Sequence, residues 1–234
     1  MAKHLSSQFD NELNAISAQI MELGGIVESQ MHFITLVLTH FDSDMSAKVF
    51  ELEKKVNALE ICVDRNLVSM IARRQPTARD LRLLMAISKT ANNLERVGDE
   101  ATKIARMASA IIEQGTARNL IGAELRFMSN LALDLLHKVL DAFARLDIEA
   151  SIQIMRVDND LDAEFNGFTR KLMTYMMEDP RTISPCLDLL FIAKALERIG
   201  DHTKNIAELV IYIVKGEDVR HSTIEEIESI TKNC

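Results

Sequence analysis

The sequence predicts an all-α protein made of two tandem, duplicated antiparallel three-helix bundles, and three observations indicate this fold class. The chain of 234 residues has only 8 Gly, 3 Pro and 5% aromatic residues, a composition poor in the turn and strand residues of β folds. Apolar residues recur at steps of three and four through long segments. A heptapeptide occurs twice, as LERVGDE from Leu94 and as LERIGDH from Leu196. Duplication of one bundle explains the repeat.

The first predicted bundle occupies residues 1–115 and contains three helices. The first helix keeps its apolar period through Gly24 and Gly25, which favours one continuous helix and leaves room for a close helix crossing. Pro76 interrupts the pattern between the second and third helices because it cannot continue a helix. The predicted helices run from Leu5 to Phe41, from Ser43 or Ser46 to the segment RRQPT, and from Thr77 to about Gly115.

The second predicted bundle occupies residues 116–216 and repeats this plan. Its helices cover Leu125 to Ala142, Ile152 to Met177, and about Ser184 to Lys215. The segment EDPRTISP has the same position as RRQPT, and Gly216 is typical of a helix end. Residues 217–234 are acidic and polar with one short predicted helix. We expect this polar C-terminal tail to be either a flexible end or a docking segment.

Charge and cysteine usage narrow the classes of function. The formal net charge of −8 argues against a nucleic-acid partner, which normally needs a basic surface. Cys62, Cys186 and Cys234 are odd in number and widely spaced, so neither a disulfide framework nor a zinc knuckle is indicated. The sequence shows no signal peptide and no spanning helix, and we expect a cytoplasmic protein. No phosphate loop, catalytic triad spacing or cysteine nucleophile stands out, so we expect no enzyme.

The duplicated heptapeptide carries pairs of acids with helical spacing. Glu95 and Asp99 lie four residues apart and therefore share one helix face, where like charges repel unless something neutralises them. Glu197 and Asp201 repeat the arrangement. A glycine precedes each aspartate although glycine inside a helix costs about 1 kcal/mol relative to alanine. Close approach of another backbone or of a ligand would explain that cost.

Counting helical rise from each hairpin turn predicts which acids lie opposite these pairs. In the second half, Asp158 and Asp162 are level with the heptapeptide acids. In the first half, Glu53, Asn57 and Glu60 reach the same level. Asn57 matches Asp162, so a neutral residue stands at an acidic position of the first half. Equal metal affinity of the two halves is therefore not expected.

Clustered carboxylate oxygens without histidine or cysteine favour hard cations such as magnesium, manganese, calcium or iron, with zinc as a further option. The predicted metal ligands are Glu95, Asp99, Glu197, Asp201, Glu53, Asp158 and Asp162. The alternative is that nearby basic residues neutralise the acids as surface ion pairs, namely Arg96, Lys103, Arg198 and Lys204. A catalytic di-metal bundle is disfavoured because the chain lacks the Glu-x-x-His pairs of that plan. Candidate partner-binding residues are Asp80, Arg82 and Arg145, with ordinary helix-surface charges as the alternative.

Several segments together resemble the PhoU family, the accessory and regulatory proteins of bacterial phosphate-specific transport. They are LERVGDEATKIA, LERIGDHTKNIA, ARRQPTARDLRLL, DAFARLDIEA, LMTYMMEDPR and YIVKGEDVRH, and the last four resemble the proteobacterial branch. The resemblance implies two three-helix bundles, pairing as a homodimer, and metal ions on the motif face. By position, Glu95, Asp99, Glu197 and Asp201 match the metal motif of the family.

The same resemblance implies a function without turnover. Proteins of this family restrain phosphate uptake and the phosphate-starvation response of the Pho regulon when phosphate is plentiful. They connect the ATP-binding subunit of the phosphate transporter (PstB-like) with the sensor histidine kinase of the two-component system (PhoR-like). We therefore expect a metal-binding negative regulator. A purely structural adaptor is the main alternative.

Overall fold

The computed structural model describes residues 7–40, 43–114 and 123–232, and the regular structure in these ranges is entirely helical. The helices are α1 Ser7–His40, α2 Ser43–Arg74, α3 Ala78–Gln114, α4 Ala123–Arg145, α5 Ile148–Glu178, α6 Ile183–Lys215 and α7 Ile224–Lys232, with one 3-10 turn at Pro180–Thr182. Helices α1, α2 and α3 pack against one another, as do α4, α5 and α6. The predicted pair of duplicated three-helix bundles is therefore confirmed.

The first helix is continuous through its two glycines. A Cβ atom at Gly24 would lie 2.4 Å from Cδ2 of Leu140, so the glycine permits α1 and α4 to cross closely. The cost of a glycine inside the helix is thus explained by packing between the two bundles. The predicted ends at Leu5, Phe41 and Gly115 lie outside the described residues.

Gly216 ends α6 as predicted. Its φ of +83° is left-handed, and its backbone N–H donates a hydrogen bond to the carbonyl of Tyr212. Asp147 caps the start of α5, where its side chain accepts a hydrogen bond from the backbone N–H of Ala150. These caps set the ends of the two helices that carry the second set of acids.

The two bundles share one hydrophobic core, which the apolar pattern alone does not predict. Helix α3 packs most extensively against α6, and α1 packs on α4. Near the middle of the α3–α6 contact, Oδ1 of Asn93 lies 3.2 Å from both Nδ1 of His202 and Nδ2 of Asn205. Arg82, near the start of α3, lies beside Gly216 at the end of α6, so the two helices run antiparallel.

The C-terminal segment docks on the chain's own fold. Val219 and Ile227 are buried in the common core, and α7 packs on α5. An ion pair joins Arg156 to Glu228, and Nζ of Lys215 donates to the carbonyl of Thr231 over 2.9 Å. Of the two expectations for this segment, the structure favours docking over a flexible end. Within the part of the chain that the structure describes, no helix is both long enough and apolar enough to span a membrane.

Candidate functional site

Helices α2 and α3 carry the first acidic cluster, which consists of Glu53, Glu60, Glu95 and Asp99. Burial raises the pKa of Glu95, and the neighbouring charge of Asp99 raises it further. Glu60 and Glu53 add to this field, so the three other acids all act on Glu95. The pKa of Glu60 is also raised, mainly by burial and then by Asp64. The cluster therefore concentrates like charge on a partly buried surface.

Two neutral donors hold Glu53 within this cluster, and the sequence prediction missed both. Nε2 of Gln30, on α1, lies 3.0 Å from Oε2 of Glu53, and Oγ1 of Thr102 lies 3.2 Å from the same oxygen. Gln30 also donates to the carbonyl of Val49 over 3.3 Å. Gln30 is fully buried, and its Oε1 accepts no hydrogen bond. A polar residue inside the apolar stripe of α1 was the signal that could have identified it.

Helices α5 and α6 carry the second acidic cluster, which consists of Asp158, Asp162, Glu197 and Asp201. Asp158 is only 1% exposed, and its Oδ2 receives no hydrogen bond. Burial raises the pKa of Asp158 to about 6, against the lowering effect of Lys204 and with added repulsion from Asp162 and Asp201. Asp158, which helical rise placed level with the heptapeptide acids, therefore lies close enough to Asp201 for their charges to interact.

Asp162 and Asp201 in the second cluster also have raised pKa values. The pKa of Asp162 is raised mainly by burial and then by the charge of Glu197. The pKa of Asp201 is raised by burial, then by Glu197, and then by Asp162. Four carboxylates on two facing helices thus interact electrostatically.

The heptapeptide glycines bring the opposing helix close to these acids. A Cβ atom at Gly98 would lie 2.9 Å from Oε1 of Gln30 and 3.1 Å from Oε2 of Glu53. A Cβ atom at Gly200 would lie 2.7 Å from Oδ1 of Asp158. Each glycine therefore leaves space that the oxygen of a facing side chain occupies. This contact accounts for the retention of glycine in both copies.

The predicted basic neighbours divide between two roles. Lys204 is a counter-ion of the second cluster, because its Nζ lies 3.4 Å from Oδ2 of Asp158. Arg96 makes a long contact of 3.6 Å with Glu95 of the first cluster. The other two basic residues turn away from the clusters and contact Glu100, at 2.8 Å for Lys103 and 3.5 Å for Arg198. The ion-pair alternative therefore applies to only part of the predicted set.

The donor set matches a hard cation in its chemistry. Both clusters offer carboxylate oxygens, and two buried oxygens, Oε1 of Gln30 and Oδ2 of Asp158, have no hydrogen-bond donor. Among the residues that the structure describes, no three His, Cys, Asp or Glu side chains are already arranged to hold a metal ion. The acids that sequence analysis selected remain predicted ligands.

The structure places the other predicted residues outside these clusters. Asn57 is exposed on α2. Asp80 is half-buried, and Nε of Arg82 is buried without a hydrogen-bond partner, with its guanidinium beside Gly216. Arg145 is 71% exposed and pairs with Asp141 at 2.8 Å at the end of α4. Of the three candidate partner-binding residues, Arg145 presents the most accessible side chain.

Comparison with known proteins agrees with the duplicated fold. The sequence profile described as the PhoU domain matches residues 20–108 and again residues 125–210. The chain is 46% identical over 228 residues to the phosphate-specific transport system accessory protein PhoU of Escherichia coli (strain K12), covering 97% of this chain and 94% of that protein. The chain belongs to the PhoU family.

Solved structures of the PhoU family have the same fold. The crystal structure of PhoU from Pseudomonas aeruginosa superposes with a TM-score of 0.86 at 41% identity, covering 89% of this chain and 100% of that one. The phosphate transport system regulatory protein PhoU from Streptococcus pneumoniae superposes with a TM-score of 0.81 at 26% identity, covering 90% of this chain and 99% of that one. The family resemblance predicted from the duplicated motifs is confirmed.

Proposed function

We propose that this chain is an accessory protein that restrains phosphate uptake and the phosphate-starvation response when phosphate is plentiful. The observation that carries the proposal is near-full-length similarity to a protein named as an accessory protein of phosphate-specific transport. Similarity of the fold to a protein named as a phosphate transport system regulator supports it. In this proposal the chain acts by binding rather than by turnover.

The partners in this proposal are the ATP-binding subunit of the phosphate transporter and the sensor histidine kinase. A rigid body of long helices with one continuous core suits such an adaptor, because it can keep two docking surfaces at a fixed separation. Arg145 lies at the exposed turn between α4 and α5 and is the residue we assign first to a partner surface. The chain acts in the cytoplasm as a homodimer.

A divalent or iron-type cation is the proposed cofactor, with magnesium, manganese, iron and zinc as the candidates. The residues that would hold it are Glu53, Glu95 and Asp99 in the first cluster, and Asp158, Asp162, Glu197 and Asp201 in the second. A bound cation would neutralise like charge and link two facing helices of a bundle. The pKa values of Glu95 and Asp201 are raised first by burial and then by neighbouring carboxylates, and a bound cation would offset both effects.

Complementation of a bacterial strain that lacks its own PhoU-family gene tests the regulatory role. Expression of this chain should restore repression of a phosphate-starvation reporter in phosphate-rich medium. A variant that carries Glu95→Gln, Asp99→Asn, Glu197→Gln and Asp201→Asn should fail to repress while retaining its helical circular dichroism. The matched control carries Glu149→Gln and Asp160→Asn, which alter two exposed acids of α5. Failure of the unmodified chain to repress would contradict the proposed regulation.

A structural adaptor without metal is the competing function, and the lysines of the second cluster favour it. Nζ of Lys194 lies 2.5 Å from both carboxylate oxygens of Glu197, so part of the charge is already paired within the chain. Binding of the purified transporter ATPase subunit in the presence and absence of EDTA separates the two functions. Binding that is unchanged by the chelator would support the adaptor and count against a functional metal.

A further inference from the structure

A polar cleft of about 580 Å³ lies where the two bundles meet. Its lining comes from α2 and α3 of the first bundle, from α6 of the second bundle and from the segment that follows α6. Sites for small molecules have volumes of about 300–1000 Å³, so this cleft is large enough for a ligand. None of the predicted metal ligands lines it. The cleft is therefore a separate candidate site.

Glu208, on α6, brings an unpartnered carboxylate into this cleft. The residue lines the cleft although it is only 6% exposed. Among the residues that the structure describes, none donates a hydrogen bond to its carboxylate or forms an ion pair with it. Burial raises the pKa of Glu208, and the attraction of Lys204 does not offset this effect. A buried carboxylate without a partner is costly, so a ligand that brings positive charge would be stabilised here.

Two further acids line the cleft from α2. Glu60 and Asp64 lie one helical turn apart, and the charge of Asp64 adds to the effect of burial in raising the pKa of Glu60. Oγ of Ser88, on α3, donates a hydrogen bond to Oδ1 of Asp64 over 3.0 Å. No described residue donates a hydrogen bond to Glu60. Negative groups therefore line the cleft from both bundles.

The basic residues of the cleft do not balance these acids. Arg220 is held by Asp218, with Nε 2.9 Å from Oδ1 and Nη2 2.6 Å from Oδ2. Its charge is therefore already matched by an acid outside the cleft lining. Lys89 is exposed, and its Nζ lies 5.9 Å from the centre of the Tyr212 ring. The three acids of the cleft thus exceed the positive charge that remains free beside them.

The acids are spread along the cleft instead of meeting at one point. Within the described part of the chain, no three His, Cys, Asp or Glu side chains are arranged to hold a metal ion. A ligand that contacts both Glu208 and the α2 acids therefore needs two positive centres joined by a chain. Asn92 and Asn205 also line the cleft, and their amide oxygens are acceptors for the N–H groups of such a ligand.

We propose that this cleft binds an aliphatic polyamine, with one ammonium group at the buried carboxylate of Glu208 and a second at Glu60 and Asp64. The bound chain crosses from α6 to α2 and so links the two bundles. The predicted metal ligands take no part in this site. The inference therefore stands or falls independently of metal binding.

Isothermal titration calorimetry of the full chain with spermidine tests the site. EDTA is present throughout, and about 0.15 M salt screens charges that are more than about 8 Å apart. We expect one site, and n-butylamine, with a single ammonium group, should bind at least about tenfold more weakly. Glu208→Gln should weaken spermidine binding at least about tenfold, and Asp64→Asn about threefold. The matched control, Glu149→Gln, removes the same charge from an exposed position of α5 and should leave binding unchanged.

Removal of the free cation tests the proposal in the opposite direction. Lys89→Gln takes away positive charge that opposes an ammonium ligand, so spermidine should bind about two- to fivefold more tightly. The control, Lys138→Gln, removes an exposed lysine of α4 that pairs with Asp134 at 2.6 Å, and should not change the affinity. Circular dichroism and urea unfolding check that each variant is folded.

Three results would overturn the proposal. Equal weakening by Glu208→Gln and Glu149→Gln would show general attraction of a cation to an acidic protein. Equal affinity for n-butylamine and spermidine would exclude a ligand with two positive centres. Absence of spermidine binding, or weaker binding after Lys89→Gln, would show that the cleft does not select an organic cation.

Discussion

The ammonium of Lys204 lies 3.4 Å from Oδ2 of Asp158, yet this oxygen receives no hydrogen bond. Burial of the Asp158 carboxyl outweighs the attraction of the lysine and raises its pKa to about 6. The ion pair therefore does not fully compensate the cost of placing a charge in this position. At neutral pH the ionised form of Asp158 destabilises the folded chain.

Replacement of Asp158 by asparagine should stabilise the metal-free protein at pH 7.5 but not at pH 4. Between the unfolded pKa near 3.8 and the folded pKa of about 6, the folded chain binds the extra proton. Stability that this group contributes at low pH is therefore lost as pH rises through 6. We expect a gain of about 1–3 kcal/mol in the free energy of unfolding for Asp158→Asn at pH 7.5.

Urea unfolding with EDTA at the two pH values measures this difference. Asp160→Asn is the matched control, because Asp160 is exposed one half-turn further along α5 and should give no pH-dependent gain. An equal gain for Asp158→Asn at pH 4 and pH 7.5 would show that packing, rather than ionisation, is responsible.

The donors to Glu53 should behave as one network. Gln30 and Thr102 donate to the same oxygen, so either one alone can still satisfy it. In metal-free protein we expect Gln30→Leu and Thr102→Val each to cost about 1 kcal/mol. The double variant should cost at least about 0.5 kcal/mol more than their sum, because it removes both donors that the described residues provide to this carboxylate.

A double-mutant cycle in urea measures this coupling. Thr169→Val is the control partner for Gln30→Leu, because Thr169 bonds the carbonyl of Phe165 in the other bundle. That pair should be additive within about 0.5 kcal/mol. Additivity of Gln30→Leu and Thr102→Val would contradict a shared role at Glu53.

The long-range features of the site show where sequence reasoning succeeds. Glu197 and Asp162 belong to facing helices, and counting helical rise from the hairpin turn placed them at one level because α5 and α6 are consecutive in the chain. The two glycines were predicted to allow close approach of a backbone or a ligand, whereas the groups that lie against them are protein side chains. The repeat likewise predicted two bundles.

Other parts of the site depend on which side chains of different helices meet, and the apolar period of one helix does not specify its partners. Gln30 reaches the first cluster from α1, a helix that was not expected to contribute to the site. Lys103 and Lys204 were treated as equivalent, but they are offset by one residue in the aligned repeats and therefore point about 100° apart. Only Lys204 reaches an acidic cluster. The two bundles share a core because α3 packs against α6. The polar contact between these helices, from Asn93 to His202, joins residues far apart in the sequence and was not predicted.

Alanine at the second heptapeptide glycine should be destabilising. A Cβ atom at Gly200 would meet both Oδ1 of Asp158 and Cδ2 of Leu161 at 2.7 Å, and both side chains are buried. The helix gain of up to about 1 kcal/mol is smaller than the expected overpacking cost, so Gly200→Ala should lose roughly 1–2 kcal/mol in stability. Thermal and urea unfolding measure it.

Gly167 supplies the matched control, because a Cβ atom there meets nothing within 4 Å on the exposed face of α5. Gly167→Ala should raise the free energy of unfolding by about 0.5–1 kcal/mol. Stabilisation by Gly200→Ala of similar size would show that the Asp158 side chain moves aside at no cost, and the packing explanation for the glycine would fail.

Docking of α7 should depend on Ile227. This side chain is fully buried, whereas the helix of 9 residues is too short to be stable alone. Ile227→Ala removes most of the apolar side chain that holds α7 in place. A cavity of this kind costs about 2–5 kcal/mol in the free energy of global unfolding if α7 stays docked. If α7 instead detaches while the rest of the fold stays intact, the loss of stability cannot exceed the free energy with which α7 docks.

Hydrogen exchange distinguishes the two responses to Ile227→Ala. We expect the amides of α7 to lose at least tenfold in protection, while the amides of α3 in the shared core retain most of theirs, because α7 contacts chiefly α5. Glu225→Ala, which changes an exposed residue of the same helix, should leave both sets unchanged. Unaltered protection of α7 in Ile227→Ala would mean that the ion pair of Arg156 with Glu228 and the Lys215 contact with Thr231 suffice to hold the helix.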